Sequence, residues 1–386
     1  MSHVVQHDYA VAQAVIPLAF YAPLKAPDHP VVSGDRTMAR QLMKVLTRAG
    51  FAPRLASRLR AYEPTGLAGP QEKLHLEAAA ETARLLEEYR RQPELRPSLW
   101  LTYHCYYKAA DRIGPVVARA LGIPYVIVEG SRAPRRANGR LALGHAASEA
   151  ALDVADLVFV MTSTDKMMLE RFRPAHQQLV DLPPFVEVAP EAAQAQPGQS
   201  DEPHLLTVAM MRPGDKLASF QQLAQALDLL GGRPWRLTIA GDGEAREDVQ
   251  GLFAQFGARV AFAGAVAGDG PLEELYAAAD LLVWPAVNEA YGMAFLEAAA
   301  HGLPALAGRY GGVASVVRDG ETGVLTERGD VAGFAAALSA LLDDRDWLQV
   351  LGRQARAFVE NERSLEHAAT IMRGSLLPLV RETARS

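Results

Sequence analysis

Short apolar runs alternate with amphipathic stretches along most of this 386-residue chain, and the alternation starts twice. The first series has strands expected at Val15–Ala22, around Arg54–Ala56, at Ser98–Thr102 running on into TYHCYY, at Pro124–Val128 and at Leu157–Met161. Helices are expected between them, at Arg36–Arg48, Leu74–Arg91, Pro115–Leu121 and Leu143–Ala155. After an aperiodic Pro-, Gln- and Ala-rich stretch, Pro183–Pro203, the pattern begins again. Strands are then expected at Leu205–Met210, Arg236–Ala240, Val260–Phe262, Leu281–Trp284 and Leu303–Ala307. Their helices fall at Ala218–Leu230, Ala245–Phe256, Leu272–Ala278, Gly292–His301 and Val331–Leu342, with a helical tail over Ser364–Thr383. Unbroken apolar strands that alternate with helices build parallel sheets covered on both faces. The expected fold is α/β with two doubly wound domains, 1–185 and 204–363, a linker at 186–203, and a C-terminal helix over 364–386 that packs back on the first domain. Ligands of open parallel sheets bind beyond the C-terminal ends of the strands, which here points to an interdomain cleft.

The length suits two cores of ordinary size. A lone cysteine, Cys105, excludes an internal disulfide framework and fits a reducing cytoplasm. The apolar stretch Tyr9–Tyr21 is too short for a membrane span, contains Pro17 and reads as a first strand rather than a signal peptide. Charge is uneven. Residues 1–185 hold 23 lysines and arginines against 18 aspartates and glutamates, whereas 186–386 hold 16 against 27. A basic first half suits an anionic partner, either an acidic acceptor or a membrane surface. Arg36, Arg40, Lys44 and Arg48 recur every four residues and form one stripe, to which Arg132, Arg135 and Arg136 could add. The competing reading is a solvated face. Nothing points to nucleic acid.

The stretch Pro285–Pro304, PAVNEAYGMAFLEAAAHGLP, concentrates the chemistry. A strand leaves the sheet, turns at Asn288-Glu289-Ala290 and enters a helix at Gly292. Free amides at a helix start, with the positive end of the dipole behind them, suit a phosphate. Glu289 and Glu297 flank that place. By itself the stretch reads more simply as an Ala-rich helix with acidic residues.

An ordered series changes the balance. It runs from Met211-Arg212 and Lys216 through Ala240-Gly241-Asp242-Gly243-Glu244, Phe262–Val266 and Ala279–Pro285 to Glu289-Ala290-Tyr291-Gly292, Glu297-Ala298, His301–Pro304, Gly311-Gly312, Asp319-Gly320 and Thr322-Gly323. Over residues 204–345 this resembles the C-terminal domain of retaining glycosyltransferase family 4, within glycosyltransferase group 1. The resemblance implies GT-B architecture, two Rossmann-like domains facing a cleft, and transfer of a sugar from a UDP- or GDP-sugar with no obligatory metal. It implies that Glu297 holds the ribose, Glu289 the donor sugar, and the Gly292 and Met293 amides, beside Tyr291, the diphosphate. Arg212 and Lys216 would neutralise the leaving group, Ala265 and Val266 meet the base, and Gly241 permits close approach. Asp242 and Glu244 read equally as caps of the next helix.

Two features depart from the family. Three residues separate Arg212 from Lys216 where four are usual, and the family's N-terminal-domain histidine is matched by Glu129-Gly130-Ser131-Arg132, with His104 one strand earlier as the alternative. Ser33-Gly34-Asp35 stands for the glycine-rich first loop, with Gly34 the donor-side candidate. The partners implied are a nucleotide sugar and an anionic or lipid-linked acceptor, with peripheral membrane association. An epimerase or phosphorylase, and a scaffold that only binds nucleotide sugar, stay open. A pyridoxal phosphate enzyme is disfavoured because Lys216 is the sole lysine beyond residue 186.

Overall fold

The computed structural model describes residues 15–383 apart from 32, 189–192, 200 and 267–268. The expected first strand from Tyr9 therefore lies outside the described residues up to position 14. Two compact units emerge. One comprises the chain up to Phe159, Arg173–Val180 and the tail from Ala369; the other comprises Val160–Phe172 and Asp181–Ala368.

In chain order the first sheet contains β1 (Ile16–Tyr21), α1 (Gly34–Arg48), β2 (Phe51–Ser57), α2 (Ala68–Arg91), β3 (Trp100–Cys105), α3 (Gly114–Leu121), β4 (Tyr125–Gly130), α4 (Ala142–Val154) and β5 (Leu157–Val160). After α5 (Ser163–Arg171) it ends with β6 (Gln178–Asp181). The strand order is β2-β1-β3-β4-β5-β6. The second sheet has β7 (His204–Val208), α6 (Asp215–Asp228), β8 (Arg236–Ala240), α7 (Arg246–Phe253), β9 (Val260–Gly264), α8 (Asp269–Ala278), β10 (Leu281–Trp284), α9 (Met293–Ala300), β11 (Ala305–Gly308), β12 (Gly323–Thr326) and α10 (Val331–Asp343). Its order is β12-β11-β10-β7-β8-β9. The chain closes with α11 (Arg345–Glu362) and α12 (Leu365–Thr383).

The central strands LTYHC, LVFV and LLVW are almost wholly buried because helices cover both faces. Helix starts follow local chemistry. Ser33 caps α1 through the Arg36 amide, Thr162 caps α5, Asp330 caps α10 and Asp344 caps α11. The Asp344-Arg345-Asp346 triplet thus begins a helix. Trp100, Phe20, Tyr21 and Phe159 pack the first core, and Phe220, Phe253, Trp235 and Trp284 the second. Phe220 takes Trp284 edge-on at 4.9 Å and Phe253 at 6.3 Å, which fixes the end of β10.

Four elements go beyond the expectations: α5, β6, β12 and α11. Leu157–Val160 does not close the first sheet, because β6 follows it. The expected linker is also largely built into the second unit. Val186 and Ala195 are buried in its core, and the Gly198 amide donates to Asp280 Oδ1 at 2.8 Å. Arg132 corrects another expectation. Its side chain is 2% exposed and pairs with Glu149 and with Asp153 (2.7 Å), so it belongs to the interior and not to a docking surface. Within the basic stripe, Arg36 and Arg40 donate to the carbonyls of Pro30 and Pro27 and so also tie down the preceding loop. No helix among the described residues is long and apolar enough to cross a membrane.

Candidate functional site

Each sheet has a topological switch point, where successive connections leave in opposite directions. In the second sheet β7 leads out to β8 and β9, and the chain then crosses to β10, β11 and β12. The gap therefore opens between the C-terminal ends of β7 and β10, where loops diverge and leave a crevice. Lys216 follows β7 and Glu289 follows β10. The structure brings them together: Lys216 Nζ pairs with Glu289 Oε2, the Trp284 indole donates to the same oxygen at 3.4 Å, and the ammonium stands 5.5 Å from the Trp284 ring centroid. Lys216 is 26% and Glu289 18% exposed, so the pair is partly shielded but open to a ligand.

The loop that presents Glu289 is held in an unusual course. Ala286 and Asn288 adopt left-handed φ of 59° and 52°. Asn288 Nδ2 donates to Asp215 at 2.9 Å and the Val287 amide donates to Ser219 Oγ at 2.9 Å, which fastens the loop to the first two turns of α6. From the other side the turn after β11 lies directly on it. The Gly312 amide donates to the Ala290 carbonyl at 2.6 Å, and a Cβ at Gly311 would stand 2.0 Å from the Glu289 carbonyl oxygen. Residues outside the rare αL set tolerate such φ values only when their surroundings impose them.

Gly292 (φ 77°) ends the loop and α9 begins at Met293, so the first amides of α9 have no partner within the helix. Tyr291 beside them is buried. One helical turn on, Glu297 accepts the Tyr276 hydroxyl at 2.8 Å. Burial and the Glu297 charge push the Tyr276 phenol well up, so it remains a donor. Gly241 closes the end of β8: its Cβ would meet the Ala209 carbonyl at 1.8 Å, and its amide donates to Gly264 at 2.8 Å. Ala265 and Val266 follow β9 on the same edge. Arg212 is exposed at the exit of β7. Asp242 accepts the Gly243 amide and pairs with Arg246 at 3.0 Å, while the start of α7 at Ala245 has no side-chain cap.

The first unit repeats the device. Its switch point lies between β1 and β3, and there His104 Nδ1 meets Asp35 Oδ1 at 3.0 Å. Burial raises the Asp35 carboxyl, but the hydrogen bond and charge of His104, with Lys25 behind, outweigh it and hold the group below its ordinary range. Gly34 opens α1 with empty space where a Cβ would be, so nothing in the fold itself requires glycine there. His104 and Glu129 face each other across the β3–β4 ladder, between the pairs Tyr103–Val128 and Cys105–Gly130, and both have left-handed φ of about 60°. Both readings of the missing family histidine thus lie at one irregular point of the sheet. Cys105, next to it, is buried, which pushes its thiol up to about 12 and leaves it unreactive.

Sequence reasoning missed Asp35, Trp284 and Tyr276 as partners of the site residues. Asp35 was visible as a helix-start acid, whereas nothing local marks the other two.

Residues 202–344 match the family described as Glycosyl transferases group 1. Curated relatives include the sulfoquinovosyl transferase SQD2 of Arabidopsis thaliana, 37% identical over 35% of this chain and 26% of that protein. A D-inositol 3-phosphate glycosyltransferase of Nocardia farcinica is 30% identical over 72% of this chain and 65% of its own length. The chain thus spans less than two thirds of each of these two. The 2-deoxystreptamine glucosyltransferase of Streptomyces kanamyceticus is 27% identical over 94% of this chain and 93% of that one. Among solved structures, a sucrose-phosphate synthase from Thermosynechococcus elongatus superposes with TM-score 0.71 at 22% identity, covering 96% of this chain and all of that one. Anabaena Alr3699/HepE in complex with UDP gives 0.71 at 14% identity, covering 94% of this chain and 100% of that one. With the two parallel six-stranded sheets, these neighbours establish the GT-B fold of two Rossmann-like units.

Proposed function

We propose that this protein is a retaining glycosyltransferase that moves a sugar from a nucleoside diphosphate to an acceptor hydroxyl. The observation that carries the reading is the Lys216–Glu289 contact at the switch point of the second sheet, beside the open N-terminus of α9. An arriving diphosphate offers Lys216 a stronger partner than Glu289, and the α9 amides and Arg212 add positive charge around it. Once Lys216 turns to phosphate, the Glu289 carboxylate is released to accept hydrogen bonds from the donor sugar. Glu297, oriented by Tyr276, takes the ribose hydroxyls. As the bond from the anomeric carbon to the phosphate oxygen breaks, its electron pair leaves with the diphosphate, where this charge cluster stabilises it. The acceptor oxygen bonds to the same carbon and its proton passes to the departing phosphate oxygen. His104, set by Asp35, serves the acceptor side. HepE, whose structures are described with UDP and with UDP-glucose, supports a uridine donor.

A thermal-shift screen against UDP, GDP, ADP and their sugar conjugates tests the donor site. Stabilisation by one nucleotide diphosphate, lost in Glu297→Ala, is expected. No stabilisation by any of them would refute the reading. Proton NMR of the first product separates retention from inversion.

A further inference from the structure

Trp284 ends β10 at the point where the Glu289 loop departs, and its indole meets both members of the Lys216–Glu289 pair. The residue is 4% exposed, lies edge-on to Phe220 at 4.9 Å and pairs with Ala307 of β11. A rigid ring in a close-packed core keeps its place when a ligand arrives.

Among the described residues, both donors that reach the Glu289 carboxylate act on Oε2: the Lys216 ammonium and, at 3.4 Å, the Trp284 indole N–H. Oε1 receives neither. The two donors differ in freedom. Lys216 lies in the first turn of α6, between Asp215 and Ser219, whose side chains hold Asn288 and the Val287 amide at 2.9 Å. Helix and loop are thereby locked together, but the lysine ammonium rides on a flexible stem. It can leave Oε2 while the indole stays.

That departure has a cost. Glu289 is 18% exposed, and a shielded carboxylate that loses its counter-charge is disfavoured. A fixed N–H on the same oxygen offsets part of this, because hydrogen bonds to charged groups are the stronger ones. The contact is long while the ammonium neutralises the oxygen, and it strengthens once the ammonium has gone.

We propose that Trp284 is a positioning residue of the donor site. Its indole N–H holds Glu289 Oε2 when Lys216 turns to the diphosphate, which eases the release of the lysine and keeps Oε1 presented to the donor sugar. This purpose rests on the transferase reading, whereas the contact stands on the second unit alone.

A double-mutant cycle on the full chain tests it, read by calorimetry as affinity for the tightest binder among UDP, GDP and ADP. Trp284→Phe keeps a ring for Lys216 and Phe220 but removes the N–H, and should weaken the nucleotide about fivefold, as loss of one hydrogen bond does. Glu289→Gln leaves Lys216 no carboxylate to abandon, and in that background Trp284→Phe should change affinity by less than about twofold. An equal loss in both backgrounds marks a merely structural tryptophan and overturns the proposal, as does unchanged affinity in Trp284→Phe. Indole N–H resonances, measured by NMR, give a second readout with all four tryptophans of the chain in place. One of them should move on Glu289→Ala in nucleotide-free protein, and again in the wild type on addition of the nucleotide but not of its nucleoside. These spectra decide the matter if Trp284→Phe does not fold, and resonances indifferent to Glu289→Ala overturn the proposal. A wild type that binds none of the three nucleotides overturns the donor reading instead, and the Glu289→Ala spectra still decide the contact.

Discussion

Alanine at Gly311 would test whether the turn after β11 positions the Glu289 loop. Two costs separate. The first is conformational: Gly311 has φ +46°, and an L-residue in the left-handed region costs roughly 1–2 kcal/mol. The second is steric. The new Cβ would stand 2.0 Å from the Glu289 carbonyl oxygen, more than 1 Å inside an ordinary contact of 3.4 Å, with the Ala290 carbonyl oxygen also at 3.4 Å. The obstacle is backbone, so the loop must move, at about 1–3 kcal/mol by the usual cost of overpacking. Gly311→Ala should therefore lose about 3 kcal/mol in urea unfolding. Gly320→Ala is the control, with φ +74° and nothing within 4 Å of its Cβ; it should lose only about 1 kcal/mol, the conformational part. Moving the loop by an ångström also displaces Glu289 from Lys216 and the start of α9. UDP affinity, measured by calorimetry on both variants, should fall at least tenfold in Gly311→Ala, about 1.4 kcal/mol, and stay unchanged in Gly320→Ala. Equal stability loss and equal UDP affinity in the two variants would refute the positioning argument.

Two further expectations follow from the same geometry. Tyr276→Phe removes one hydrogen bond to Glu297 while keeping the ring, so nucleotide affinity should drop about fivefold, near 1 kcal/mol, and unaltered UDP binding would remove Glu297 from the site. Asp35 has its carboxyl held below the ordinary 3.8, so its contribution to stability is complete above that value and is lost as pH falls through the lower folded value. Asp35→Asn should accordingly be less stable than wild type at neutral pH, with the gap closing below about pH 4, and a gap that is constant down to acid pH would argue against the His104–Asp35 contact.

Most of the architecture was legible because its signal is local. Apolar runs bounded by Gly, Pro and Asp marked β1, β3, β4, β7, β8 and β10, and helix caps such as Ser33 marked their helices. What escaped were elements whose identity is decided by tertiary contact. The strand β6 (QLVD) is exposed or half-buried along its length and carries no apolar run, and β12 is a four-residue strand made by pairing with β11. The segment after Pro183 looked like a linker because its composition is turn-like, yet Val186 and Ala195 find a core that composition does not reveal. The site divides similarly. Lys216, Glu289, Gly292 and Glu297 stood out from an ordered motif, and Gly311-Gly312 lay in the same series without an evident task. Their purpose appears only where backbone meets backbone. Arg132 was misread because charge in sequence looks alike whether it is solvated or paired with Glu149 and Asp153.

The routing of the last helix bears on how the molecule is made. Residues from Ala369 onward belong to the unit that begins the chain, with Met372 and Leu376 buried and Arg373 donating to the Ala49 carbonyl at 2.9 Å. The second unit runs to Ala368, within this helix, so during synthesis all of its residues are made before residues 369–383, which the first unit needs. The usual order, N-terminal domain complete before C-terminal, is thereby not available to this chain. A truncation before Leu365 should strike the unit farthest from it in sequence, and a stand-alone version of the first unit would have to carry residues 365–383 grafted behind β6.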